Sequence, residues 1–211
     1  MEMNRPWHQH YPAEIPKSLT YDEMPLYQFL LDSGEKFKEK KALHFMGKEM
    51  TFGEVLSKAK KMANFLQQKG LKKGDRVASM LPNVPQAVIT YYGALLAGGI
   101  VVQVNPLYTE RELEYQLKDS GAKYIICLDI LLPRVSKVKD NTDLDHIIVT
   151  RIADYLPFPK NLIYPFIQKR QYNMSVKVEE NESTHIWKNI FESVSEDYEK
   201  VEIDPKKDLA L

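Results

Sequence analysis

The chain has 211 residues, 44% of them apolar and 27% charged, with 29 basic residues against 29 acidic ones. This length and apolar content support a packed core and exclude a disordered chain, while the charge balance gives no electrostatic footprint for nucleic acid or another polyanion. The single cysteine, Cys127, excludes an intrachain disulfide and fits a reducing cytoplasm.

Residues 1–25, rich in Pro, Tyr and His, show little periodicity and read as an extended N-terminal arm. The start has no apolar signal core, and no stretch reaches the roughly 18 consecutive apolar residues of a membrane span. The expected location is therefore cytoplasmic, with at most a peripheral contact at the inner face of the membrane. Residues 26–150 form the expected α/β core. It opens with a helix over 26–37 and a hairpin of strands 42–46 and 49–52 around Gly47-Lys48. Thr51 and Glu54 have capping-box spacing. The helix they open places Val55, Ala59, Met62, Ala63 and Leu66 on one face and ends at Gly70.

Gly74 to Thr109 is the most informative block. A short apolar strand at 76–81 is followed by Asn83 and Pro85, which suit a helix start as cap and first-turn proline. Gly98-Gly99 stops that helix, and a β-branched strand follows at 100–104 with an Asn105-Pro106 exit. A second capping box, Thr109 with Glu112, starts a helix that turns Leu113 and Leu117 inward. Strands at 123–128 and 146–150 flank a helix at 131–139. This alternation predicts an α/β fold: a mostly parallel sheet with helices on both faces, joined by right-handed crossovers. From 151 to 184 the pattern breaks into an irregular excursion carrying Pro157, Pro159 and Pro165 and an acidic run at 179–182. A return helix at 185–191 and a strand entering at Asp208 complete residues 185–211.

Gly-Asp-Arg-Val at 74–77, Leu-Pro-Asn at 81–83, Gly-Ala-Leu-Leu-Ala-Gly-Gly at 93–99 and Asn-Pro-Leu-Tyr-Thr at 105–109 stand in this order and spacing. Together they resemble the adenylate-forming (AMP-forming) acyl-CoA synthetases, and within them the bacterial long-chain fatty acid–CoA ligases. Met50 to Val55, Thr109 to Leu113 and Ser120 to Lys123 extend the resemblance, and Tyr155 to Lys160 is similar to a region of the long-chain branch. Asp208-Leu209-Ala210-Leu211 resembles the strand leading into the family's phosphate-binding loop. The resemblance implies the N-terminal portion of a longer enzyme, part of its large N-terminal domain. It also implies a reaction of ATP and a fatty acid to an acyl-adenylate, then thioester formation with CoA, assisted by Mg²⁺. The family's phosphate loop, ribose-binding Asp and C-terminal Lys would all follow Leu211. No catalytic, cofactor-binding or metal-binding residue is therefore carried over to this chain, and the 211 residues alone are expected to be inactive and to bind none of these cofactors. The alternatives are a free-standing α/β binding or regulatory module, or an adenylate-forming ligase for another carboxylic acid.

The remaining motifs weigh toward plain roles. Neither a P-loop nor a GxGxxG fingerprint occurs, and Gly93, Gly98 and Gly99 lie in or after a helix rather than before one, as helix packing and capping would have it. His8-x-His10 lacks companion ligands. His44 and His146 read as structural strand residues, Cys127 as a buried one, and Asp75-Arg76 as a local turn contact. Tyr108 and Thr109 sit where open α/β sheets bind ligands, with capping the favoured role for Thr109. The sequons at Asn173 and Asn181 read as chance matches. Tyr155 to Arg170 interleaves aromatics with Lys160, Lys169 and Arg170 and is the candidate membrane contact, although Pro165 interrupts its helical pattern. The arm is the candidate contact for a homodimer, since some long-chain relatives dimerise through that region.

Overall fold

The computed structural model of the chain describes residues 5–172 and 176–211. Met1 to Asn4 of the arm and the Asn173 sequon lie outside them. Among its described residues the arm forms a 3-10 turn, Pro6–His10, and all but His8, Met24 and Pro25 are exposed. Helix α1 (Gln28–Lys36) leads to an antiparallel hairpin of β1 (Lys41–Phe45) and β2 (Lys48–Thr51). Helix α2 (Phe52–Gln68) begins at the expected capping box: Thr51 Oγ1 accepts from Glu54 N at 3.2 Å, and Thr51 N donates to the Glu54 carboxylate at 2.8 Å.

The main sheet follows: β3 (Arg76–Met80), α3 (Pro85–Leu96), β4 (Ile100–Gln103), α4 (Glu110–Ser120), β5 (Tyr124–Leu128), α5 (Leu132–Lys139) and β6 (His146–Thr150). After β6 come a 3-10 turn (Ile152–Tyr155), α6 (Lys160–Tyr172), β7 (Thr184–Ile186) and α7 (Trp187–Ser193). The strands pair in the order β4-β3-β5-β6-β7, every pair parallel. Right-handed crossovers run in opposite directions, from β3 out to β4 and from β4 back past β3 to β5, which places α3 and α4 on opposite faces. On one side α1, α3 and α7 pack on α2; on the other, α4 packs on α5. With both faces covered, all five residues of β5 are buried, as the continuous apolar run Tyr-Ile-Ile-Cys-Leu requires.

Local differences from the sequence reading have physical causes. Asn83 does not cap α3; the cap position is Val84 without a side-chain bond, and Pro85 alone carries the helix start. The stretch expected to be irregular contains α6, which runs through Pro165. The proline removes one interior ladder bond without ending the helix. The return helix expected from His185 starts instead at Trp187, because 184–186 pair with β6 as a fifth strand. No strand forms at 208–211; a single bond, from Val101 N–H to the Ala210 carbonyl at 3.0 Å, joins that stretch to β4.

At the amino end of the sheet, His146 is not alone. Its Nδ1 lies 3.2 Å from His185 Nε2, so one ring donates to the other. His146 tilts on Tyr124 and His185 meets Phe65 edge-on. Burial, then the Lys69 ammonium and His146, push the buried His185 down to about 4; burial likewise lowers His146. A histidine depressed in the fold but ordinary when unfolded binds fewer protons folded than unfolded. Its contribution is therefore constant above the unfolded value near 6.5 and is lost as pH falls from there toward 4. Urea unfolding of the parent and of His185→Gln from pH 7 to pH 4.5 checks this. The parent should lose on the order of 2 kcal/mol more than the variant, and parallel pH profiles would refute the linkage.

Candidate functional site

At the carboxyl ends of the parallel strands a group of polar side chains gathers, on the strand ends and the loops that follow them. Helices α3 and α4 leave the sheet on opposite faces, and it is at such a point that open α/β sheets usually take ligands. Asp129 follows β5 directly and is buried. It accepts from Ile130 N at 2.9 Å and from Gln168 Nε2 of α6 at 3.2 Å to each carboxylate oxygen, with Arg151 Nε at 3.7 Å. Burial raises the Asp129 carboxyl above its ordinary value, opposed by these donors and by the Arg151 charge.

Thr150 ends β6 beside it, and Arg151 follows. Gln86, fully buried in the first turn of α3, donates from Nε2 to Thr150 Oγ1 at 3.1 Å and to the Arg151 carbonyl at 2.9 Å. Asp154 accepts from Thr150 Oγ1 at 3.1 Å and from Arg151 N at 2.9 Å, which closes the turn. Gln86 Oε1 is buried with no partner among the described residues. Across the switch point, Arg134 of α5 donates to the carbonyls of Pro106 and Tyr108 and fixes the loop after β4.

The residues singled out in the sequence fall mostly outside this cluster. Thr109 caps α4, its hydroxyl accepting from Glu112 N, while Tyr108 is half-buried against the core. Asp75 and Arg76 lie at the opposite edge of the sheet and reach further than a local turn. Asp75 accepts from Lys72 N and pairs with Lys123 at 2.9 Å, and Arg76 holds the carbonyls of Ser120 and Gly121. Burial alone would raise the Asp75 carboxyl; Lys123, the Lys72 N–H and Arg76 outweigh it and lower its pKa. Cys127 is fully buried, its thiol pushed by burial up to about 12, which leaves no thiolate for chemistry. His8 and His10 sit in the exposed 3-10 turn and His44 is exposed on β1. No group of three or more His, Cys, Asp or Glu side chains among the described residues is arranged to hold a metal ion.

Sequence reasoning missed Gln86, Asp129, Thr150, Arg151, Asp154 and Gln168. The signal was present for some: Thr150 ends β6, and Asp129 and Arg151 are the first residues after β5 and β6, where an α/β sheet presents its ligand-binding loops. Gln168 had no such signal, because α6 was not read as a helix.

The family profile described as "AMP-binding enzyme" matches residues 30–210. A long-chain-fatty-acid–CoA ligase of Bacillus subtilis is 45% identical over 212 aligned residues, which cover 100% of this chain and 38% of that protein. Another ligase of the same name, from Escherichia coli O6:H1, is 42% identical over 172 residues, 79% of this chain and 30% of its own. Among solved structures, a long-chain-fatty-acid-CoA ligase from Archaeoglobus fulgidus superposes with a TM-score of 0.71 at 25% identity. The superposition covers 95% of this chain and 36% of the solved one. The chain thus spans well under half of the relatives it matches.

Removing the keystone of the polar cluster should be costly. Gln86→Leu keeps the volume but leaves the Arg151 carbonyl and the Thr150 hydroxyl short of a donor. The expected loss is about 1–3 kcal/mol, seen as a lower urea midpoint with an unchanged m-value. A midpoint within error of the parent would show that the cluster is not satisfied through Gln86.

Proposed function

This chain belongs to the AMP-binding enzyme family, and we propose that it forms the amino-terminal part of a ligase that activates a long-chain fatty acid with ATP and transfers the acyl group to CoA. One observation carries the reading: the 45% identity to a long-chain-fatty-acid–CoA ligase extends over the whole chain, Tyr155 to Lys160 included. The chemistry fits what the fold contributes. A carboxylate is a poor acyl donor, and adenylation gives it a leaving group. Stabilising the charge on the transferred phosphoryl group needs preorganised donors, in the usual case with Mg²⁺. The described residues do not fit a Mg²⁺ site, since they hold no cluster of metal-binding side chains, and the Asp129 carboxylate is already engaged by Gln168 and the Ile130 N–H. Activity is therefore assigned to a polypeptide of the relatives' length, with this stretch as its scaffold. We place that enzyme in the cytoplasm, consistent with a single, buried cysteine.

Two surfaces supply contacts for it. Phe158, Leu162, Ile163, Phe166 and Ile167 are exposed on and just before α6, with Lys169 and Arg170 in its last turn. Apolar side chains followed by cations fit a peripheral contact with an anionic bilayer. No helix among the described residues is long and apolar enough to cross a membrane. On the arm, Trp7, Ile15, Leu19 and Tyr21 are exposed and fit burial against a second copy.

The activity is checked by fatty-acid-dependent exchange of labelled pyrophosphate into ATP. A protein of the relatives' length should exchange with palmitate, and the 211-residue chain should not. Loss of a single oxyanion donor already costs on the order of a hundredfold. Exchange by the short chain would overturn the division of labour. Failure of the long protein with every acid from acetate to palmitate would overturn the ligase reading.

One sedimentation series reads both surfaces. The mass should rise with protein concentration when vesicles are absent. Pelleting with anionic vesicles should weaken roughly tenfold or more in Phe158→Ser plus Phe166→Ser, given about 1.5–3 kcal/mol for each large side chain fully buried. A constant monomer mass removes the dimer, and unchanged pelleting removes the membrane contact.

A further inference from the structure

A cleft of about 740 Å³ opens between the β1–β2 hairpin, α2, the 3-10 turn after β6, α6 and α7. Its floor is aromatic: Trp187 packs on Phe191 and Tyr155, with ring centroids 5.0 and 6.5 Å away. Over that floor stand two ammonium groups from separate elements. Lys48 Nζ lies 5.5 Å from the Tyr155 ring centroid, and Lys58 Nζ lies 5.7 Å from Tyr155 and 4.5 Å from Phe191. Both side chains are half-buried. Neither ammonium has an ion pair or a hydrogen-bond acceptor among the described residues.

The acids that line the cleft are committed elsewhere. Glu54 closes the α2 capping box, Asp154 closes the turn at Arg151, and Glu192 faces Lys188 at 3.6 Å. Burial, then repulsion from Lys48 and Lys61, lowers the pKa of Lys58, with Glu54 opposing. A bound anion would relieve that repulsion. The wall adds two further features. Leu162 and Pro165 of α6 and Met50 of β2 give it an apolar flank. Asn161 is also on the wall, and its Oδ1 is buried with no partner among the described residues.

We propose that this cleft, which adjoins the carboxyl edge of the sheet at Arg151 and Asp154, is a binding site for a single-chain phosphate monoester, its phosphate between Lys48 and Lys58 and its alkyl chain along Leu162, Pro165 and the Trp187–Phe191 floor. A phosphate monoester suits both the cations and the flank. Its oxygens accept from both ammonium groups, and its chain covers the apolar flank. The cleft lies within the size range of small-molecule sites. It requires one headgroup with one chain, taken up as a monomer from solution, and not a bilayer surface.

The test reads the two lysines directly. The protein of the relatives' length is treated with limiting amine-acylating reagent, and the labelling rate of each lysine is mapped by mass spectrometry with n-decyl phosphate below its micelle concentration. At a probe concentration about ten times the dissociation constant, labelling of Lys48 and Lys58 should slow roughly tenfold, while Lys17 on the exposed arm is unchanged. Inorganic phosphate and decyltrimethylammonium at the same concentration should protect neither. Equal protection by either of these, or no protection by decyl phosphate, overturns the proposal. So does protection that appears only with anionic vesicles, which would make the lysines part of a membrane surface. The labelling needs no ATP, CoA or turnover, so its outcome is independent of the ligase reading.

Discussion

The close approach of α2 and α3 sets the geometry of the whole sheet. A Cβ at Gly93 would stand 2.7 Å from both Cβ and Cγ of Met62 and 3.1 Å from the Ala59 carbonyl. Only a hydrogen fits there, so the two helices lie nearly backbone to side chain over the same sheet face. Met62, Leu66 and Ile89 are fully buried as a result. A parallel sheet must be covered on both faces, and on this one the cover depends on that single missing carbon. Seating α3 so closely also places Gln86, in its first turn, within reach of Thr150 across the carboxyl edge. The helix contact and the polar cluster are therefore one constraint seen at two ends of α3.

Much of this was legible in the sequence because its signals are local. Thr51 with Glu54 and Thr109 with Glu112 satisfy free N–H groups within one turn, and both capping boxes form as read. Gly98 at φ 87° ends α3 in a conformation that residues with side chains rarely adopt. The illegible parts depend on partners distant in sequence. Three residues, Thr184–Ile186, are too few to show a strand period; they become β7 because β6 offers an open edge. His146 looked solitary because its partner, His185, returns only after the excursion. Asn83 failed as a cap because Val84, already extended, occupies the cap position in its place. Pro165 argued for a break, yet α6 continues, since a proline lowers helix stability without forbidding a helix that other contacts support.

The charged groups divide along the strand direction. At the amino edge, Asp75 binds Lys123 and Arg76 ties the end of α4, a fastening that joins three elements through carbonyls and one ion pair. At the carboxyl edge, Asp129 and Asp154 are held by Gln168, Arg151 and Thr150. Asp75, Asp129 and Asp154 thus each accept an N–H bond that closes a turn; at Asp75 the donors hold the carboxyl below its ordinary value, while at Asp129 burial outweighs them. Net neutrality conceals the half-buried Lys48 and Lys58 over Tyr155, which have aromatic faces but no ion pair among the described residues. Cation–π attraction offsets part of their desolvation and does not cancel their mutual repulsion.

Under the proposed ligase reading, these commitments say what this stretch does and does not bring to catalysis. Transition-state stabilisation needs donors left unpaired until charge develops, held in place beforehand. At the carboxyl edge the guanidinium of Arg134 already holds two carbonyls and Gln86 Nε2 holds two acceptors. Such groups hold loops in place; they are not free to meet a moving phosphoryl group. A rigid edge is nonetheless what reacting groups require, since orientation held in advance removes much of the entropic barrier between two substrates. The fixed loop after β4 and the closed turn after β6 give neighbouring donors a frame that does not shift as the reaction proceeds. The contribution of this region is thus positional: the sheet, the Gly93 contact and the Gln86 cluster would determine where the chemistry occurs, and the donors that lower its barrier would be mounted upon them.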